Sequence, residues 1–201
     1  MELTEAARRR RMVRSFSDEA VPDDVLRGVL ALACAAPSAG NTDGWDAVVL
    51  VGRDETAAFW DATTDDDWRR RSRRWPGLSR AGAVVAFFVH PDAYRARYRQ
   101  PDKHGDALGA EDAEWPVPYW FVDGGFAALL VLLGAVDAGL GACFLGNFRG
   151  EETLRASLGV PDDRRYLGAV VLGVPGGADP PSSSGGRGRR QPSEALHRGR
   201  W

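Results

Sequence analysis

The run Tyr119–Ala138 reads YWFVDGGFAALLVLLGAVDA, and almost every residue in it is apolar. Before the breaker Gly139-Leu140-Gly141 such a run spells one long helix, with Asp123 in its first turns and Asp137 near its end. A helix that is apolar all round is a buried one. The chain must therefore either build its layers around this helix or bury it against a second copy of itself. The longest unbroken apolar stretch, Phe126–Leu133, falls well short of the roughly 20 residues a bilayer span requires, so no membrane partner is expected.

The other elements follow from periodicity and breakers. Leu3–Arg11 reads as a short helix. Val25, Leu26, Val29, Leu30 and Ala33 mark a second, opened by Asp23 and Asp24 and closed before Pro37. Buried strands are expected at Ala47–Val51 and Ala83–His90, a short strand at Ala142–Leu145 and another at Tyr166–Val174. Glu55–Thr63 and Glu151–Leu158 read as helices. Asp65–Arg80 reads as an exposed helix and loop whose charges cancel, with Trp68 and Trp75 interleaved. Pro91–Pro118 is the least regular part and bears Tyr94, Tyr98, Lys103, His104 and Trp115. Long aromatic loops of this kind are either lids over sites or variable insertions. Pro175–Gly188 is rich in Pro, Ser and Gly and is expected to follow the surface, delivering the arginines that come after it. A single domain over 1–201 is expected, with 91–118 as the lid candidate and 175–201 as an extended C-terminal segment.

Charge narrows the function. The net charge is −2 across 201 residues, and the pI is near 5.9, which argues against a nucleic-acid partner. Lys103 is the only lysine, so nearly every cation is an arginine, the residue that forks onto carboxylates and phosphates. Genome composition accounts for much of that excess, but not for the clusters at Arg8–Arg11 and Arg187–Arg190. Arg10 and Arg14 are four apart and would share a face if the first helix ran that far. Such clusters are either solvated faces or phosphate clamps.

Two distant cysteines, Cys34 and Cys143, form no disulfide framework and read as buried small hydrophobes in a reduced, cytoplasmic protein. The charged N-terminus is not a signal peptide. His90, His104 and His197 are too scattered for a metal site or a triad, and each reads as an ordinary surface or satisfied histidine. No phosphate-binding loop of the P-loop or dinucleotide type is present.

What remains is the loop Ala35–Trp45, the Gly146-Asn147 turn after a strand, and the two arginine clusters. The loop holds Pro37, Ser38, Gly40, Asn41 and Gly44, so its backbone turns are specified and its amides are free to face a ligand. A chain with phosphate clamps and backbone-rich loops, but without a good acid, base or metal set, is consistent with a cofactor whose ring carries the chemistry, such as a flavin.

On these residues the chain resembles the FMN-dependent nitroreductase family, over nearly its full length. Arg10-Arg11-Met12-Val13-Arg14 is similar to the family's opening arginine signature. Ala36-Pro37-Ser38-Ala39-Gly40-Asn41-Thr42-Asp43-Gly44-Trp45 is similar to its Pro-Ser-x-x-Asn loop. Val122-Asp123-Gly-Gly-Phe-Ala with the helix after it is similar to its central helix, and the ending from Arg187 to Trp201 to its phosphate-binding segment. The resemblance implies an α+β fold, a central and mostly antiparallel sheet flanked by helices, in an intertwined homodimer with FMN at the interface. It implies that Arg10 and Arg14 contact the phosphate and the N1–O2 side of the ring, with Arg11 and Met12 lining the same site. Pro37, Ser38, Ala39 and Asn41 would come from the partner subunit. Leu145, Gly146 and Asn147 would run along the ring, and Arg187 and Arg189 would complete the phosphate site. The implied reaction is ping-pong: NADH or NADPH reduces FMN, and a nitroaromatic, quinone or similar small acceptor takes the electrons. The alternatives are a flavin-dependent dehydrogenase or oxidase acting on a pathway-specific metabolite, and a flavin carrier without turnover.

Three residues depart from the family pattern. Met12 stands where a hydroxyl is common. Asp43-Gly44 replaces Gln-Pro, adding a negative charge and removing rigidity. The strand end Phe144–Asn147 lacks an acid found in some members.

Overall fold

The computed structural model describes residues 1–103, 107–110, 114–147, 149–179, 188 and 190–201. His104, Phe148, Arg187 and Arg189 lie outside the described residues.

β2 (Ala83–Val89) is the innermost strand, and every one of its residues is buried. It pairs antiparallel with β1 (Trp45–Val51) on one side and with β4 (Arg165–Gly173) on the other. β3 (Gly141–Leu145) then pairs antiparallel with β4, so the order is β1-β2-β4-β3 and all three pairings are antiparallel. A strand buried on both faces shows a continuous apolar run instead of alternation, which is why AVVAFFV is apolar throughout.

Successive side chains leave opposite faces of the sheet. Val85, Phe87, Val170 and Leu172 join one core with α2 (Asp23–Ala31) and α7 (Tyr119–Asp137). Val84, Ala169, Val171 and Cys143 join a second core with Phe59 and Trp60 of α3 (Gly52–Thr63) and Leu154 of α8 (Glu151–Ser157). The expected α+β architecture, a sheet between helical layers, is the one observed.

Three expectations need correcting. α1 is Leu3–Arg9, and Arg10 already has an extended backbone with ψ of 123°, so Arg10 and Arg14 share no helical face. The chain past Arg10 instead lies along the sheet edge, where Met12 bridges Ala142. Second, α7 is not buried all round. Asp123, Gly124, Ala127, Ala128, Val131, Leu132, Gly134 and Ala135 face inward, whereas Tyr119, Phe121, Phe126 and Leu129 are exposed. By length and composition α7 could cross a bilayer, but its inner face packs on the sheet and carries a buried carboxylate. Third, Cys34 is exposed, while Cys143 is buried as expected. Cys34 falls in the 3₁₀ turn Leu32–Ala35 that finishes α2, where the apolar phase of the helix is lost.

The segment from Pro91 is more regular than its composition suggests. α6 (Pro91–Tyr98) opens on a proline at a position that needs no backbone donor. Its Tyr94 is wholly buried. Between β1 and β2, α4 (Asp66–Arg71) is short and charged and α5 (Trp75–Leu78) is a single uncharged turn, and Trp60, Trp68 and Trp75 stack edge-to-face. α9 (Pro192–Ala195) is a single turn in the C-terminal segment.

Candidate functional site

Two cavities flank the segment Met12–Arg14. The larger, about 950 Å³, is lined by Arg8, Arg9, Arg10 and Arg11 on one side and by Pro175–Asp179 on the other. The smaller, about 200 Å³, is lined by Arg14, Arg74, Arg149, Trp60, Trp68, Thr63, Thr64 and Leu145-Gly146-Asn147. The structure thus brings Arg10 with Arg11, and Arg14 with Leu145, Gly146 and Asn147.

The smaller cavity is rich in donors, and among the described residues no carboxylate lines it. The Nε of Arg14 and the indole Nε1 of Trp60 are buried without a partner. Buried polar groups are normally hydrogen-bonded, so two such orphans at one cavity mark a place for acceptor atoms. Arg14 is held from behind: its backbone N–H donates to Asp179 at 2.6 Å and its Nη1 to the Met12 carbonyl at 3.0 Å. Asn147 is oriented by Tyr166, whose hydroxyl donates to its Oδ1 at 2.7 Å. Burial, then the Glu151 charge, pushes the Tyr166 pKa up, so the hydroxyl remains a neutral donor. Arg149 is paired with Asp65.

No sequence motif singles out Arg74. It lines this cavity and forms no ion pair among the described residues. The only trace of it in the sequence is the pair Trp68 and Trp75 within a charged segment, which anchors that segment against Trp60.

Met12 lines neither cavity. Its side chain packs against both cores, and its sulfur accepts the Phe144 N–H at 3.3 Å. The absence of a hydroxyl at this position is therefore matched by a packing role.

The loop from Pro37 to Asn41 lies elsewhere. It leads into β1, whereas Leu145 ends β3, and these strands are opposite edges of the sheet. Three strand spacings separate them, roughly 14 Å. Within one chain the loop therefore does not meet Arg14.

The loop is tightly organised. Ser38 donates its hydroxyl to Asp43 at 2.9 Å and accepts the Asp43 N–H at 3.0 Å. Thr42 donates to the Ala39 carbonyl at 2.5 Å. Gly40, Asn41 and Asp43 all take left-handed backbone, with φ of 66°, 55° and 50°. The Asp43-Gly44 departure does not loosen the loop as expected, because the Asp43 carboxylate closes a ring with Ser38. Gly44 is required by its neighbour: a Cβ there would stand 2.4 Å from Tyr94 Cε2.

His90 pairs with Asp163 at 3.1 Å, and His197 stacks on Trp201. Burial raises the Cys143 pKa, which makes it a poor nucleophile. Among the described residues no cluster of metal-ligating side chains occurs.

The nitroreductase family model matches residues 7–174. The chain belongs to the nitroreductase family, a class of oxidoreductases, as the motifs suggested. Among its relatives is an Archaeoglobus fulgidus protein named NADH dehydrogenase/NAD(P)H nitroreductase, 27% identical over 169 residues, or 83% of this chain and 81% of the relative. A 4-nitrobenzoate reductase of Nocardioides is 26% identical over 211 residues, or 88% of this chain and 82% of the relative. The fold is shared with a Desulfovibrio desulfuricans nitroreductase solved in complex with FMN, at a TM-score of 0.69 and 22% identity over 98% of this chain and 95% of the other.

Proposed function

We propose that this chain, as one nitroreductase-like domain over 1–201, is a cytoplasmic FMN-dependent oxidoreductase that passes electrons from NADH or NADPH to a nitroaromatic, quinone or similar small acceptor by a ping-pong mechanism. The observation that carries this reading is the arginine-lined cavity, without a carboxylate among its described lining residues, whose Arg14 Nε and Trp60 Nε1 are buried without partners. The pyrimidine edge of a flavin offers the carbonyl oxygens and ring nitrogen that such donors satisfy. When bound, FMN supplies the hydride chemistry at its ring. The chain supplies the environment. Arg14 and Arg74 place positive charge where a reduced ring accumulates negative charge. Leu145, Gly146 and Asn147 offer their backbone along the same wall. Arg10 and Arg11, in the adjoining larger cleft, hold the phosphate together with Arg187 and Arg189.

The site is completed by a second copy of the chain. Pro37, Ser38, Ala39 and Asn41 sit at the far edge of the sheet from Arg14, so they reach a flavin only across a dimer interface. The exposed stripe Tyr119, Phe126 and Leu129 on α7 is apolar surface of the kind such an interface covers. Because Ser38 already donates to Asp43, it presents lone pairs, not its proton, to the ligand.

The test is a visible spectrum of the purified protein with FMN, recorded anaerobically before and after NADH and then NADPH. Flavin bands that bleach with either nucleotide are the expected result. Bands that persist would reject the nucleotide-driven reaction in favour of a substrate oxidase or carrier. A protein that takes up no FMN would refute the cofactor.

A further inference from the structure

Asp123 is the one acidic side chain among the buried described residues, with 2% of its surface exposed. No cation pairs with it among the described residues. Its Oδ2 instead accepts two hydrogen bonds: the backbone N–H of Ala39 at 2.7 Å and the hydroxyl of Tyr94 at 2.8 Å. A buried carboxylate is costly and persists only where donors compensate it. Here one donor belongs to the Pro37–Asn41 loop and the other to α6. Burial, then the bond to Asp123, pushes the Tyr94 pKa up, so the phenol keeps its proton.

A second brace acts one residue on. Arg97, also on α6, donates its Nε to the Gly40 carbonyl at 2.7 Å. The guanidinium is itself fixed by a fork to Asp102 at 2.7 and 2.6 Å. Arg97 holds the Asp102 carboxyl down at about 2, so the fork stays charged at all working pH values. Between them the braces grip Ala39 and Gly40, just where the chain turns left-handed. Asn41 and Asp43 are not glycines, and such backbone lasts only when its surroundings dictate it.

We infer that Asp123 is a positioning residue for the flavin site: with Tyr94 and Arg97 it ties the α6 segment to the Pro37–Asn41 loop and sets the geometry that this loop presents to the ring across the dimer. This rests on the flavin reading above. It gives the 91–118 segment a defined task, since its first helix governs the shape of a loop that lines the partner's site. The Ala39 N–H is consumed by Asp123, so the ring meets the other groups of this loop.

The test compares Tyr94→Phe and Asp123→Asn with wild type as purified dimers, by FMN titration, visible circular dichroism of the bound flavin and thermal unfolding of the apoprotein. Tyr94→Phe keeps the ring and removes only the donor, so it guards against a fold too damaged to read. The expected result for each is FMN affinity weaker by on the order of tenfold, because Tyr94→Phe removes the phenol donor and Asp123→Asn removes the charge that strengthens both bonds, and either loosens the loop. The dichroism of the flavin band should change with it. Variants that lose thermal stability yet bind FMN with wild-type affinity and an unchanged flavin spectrum would overturn the inference and leave Asp123 a purely structural group. Wild type that takes up no FMN would overturn the flavin reading, and this inference with it. That failure is recognisable because it precedes any substitution.

Discussion

Gly44→Ala tests the packing on which the loop depends. Gly44 lies outside the left-handed region, so alanine pays no backbone penalty there. The cost is steric: the new methyl would stand 2.4 Å from Tyr94 Cε2, 3.0 Å from Cδ2 and 3.3 Å from the His90 carbonyl. Ordinary carbon contacts are about 3.5–4.0 Å, so the ring must move by roughly 1 Å. Tyr94 has nowhere exposed to go. Overpacking a core costs about 1–3 kcal/mol, and a ring pushed off Asp123 forfeits a hydrogen bond to a charged acceptor, about 1.5–3 kcal/mol more. The sum, on the order of 4 kcal/mol, should lower Tm by about 8–16 °C in a chain of this size. Thermal and urea unfolding of the apoprotein give the number. The decisive control is Tyr94→Ala, which empties the space. Added to that background, Gly44→Ala should cost less than about 0.5 kcal/mol, the strong non-additivity of residues in contact. An equal cost in both backgrounds, or a neutral Gly44→Ala, would refute the reasoning.

Gly150→Ala should destabilise by at least about 3 kcal/mol, measured by urea unfolding. Gly150 has φ of 76°, and a Cβ there would fall 1.9 Å from the Ala62 carbonyl oxygen, a backbone atom that cannot rotate away. Arg10→Ala should weaken FMN by about 1.5–3 kcal/mol in a fluorescence titration, the scale of a charge-assisted hydrogen bond. Unchanged affinity would place the phosphate elsewhere. Leu129→Asp on the exposed stripe of α7 should leave a monomer in sedimentation velocity and abolish tight flavin binding. Tyr94 and Tyr166 have folded pKa values raised above the unfolded value of 10. The folded chain keeps protons that the unfolded chain releases, so stability is intact below pH 10 and falls as pH rises beyond it. Tyr166→Phe should flatten that fall in urea titrations between pH 8 and 11.5.

The sequence by itself determined the family, the α+β class and the existence of nearly every element. It could do so because these rest on local order: apolar period, breakers and short motifs read without knowing what lies opposite. The run Ala83–Val89 announced a strand buried on both faces, and Pro37 announced the end of a helix. Side-chain destinations were not legible in the same way. Met12 sits within an arginine signature, and only its bridge to Ala142 turns its sulfur toward Phe144. Arg74 joins Arg14 because Trp75 stacks on Trp60, a contact between residues 15 apart. Cys34 is exposed because α2 tightens into a 3₁₀ turn at its end. Asp43-Gly44 read as a loosening of the loop, yet it is the pair that Ser38 and Tyr94 demand. Asp123 looked like one polar residue in an apolar helix. Its task appears only when residues 39 and 94 are brought to it by the fold, because a hydrogen bond is fixed by distance and direction in space, and neither is encoded in local sequence.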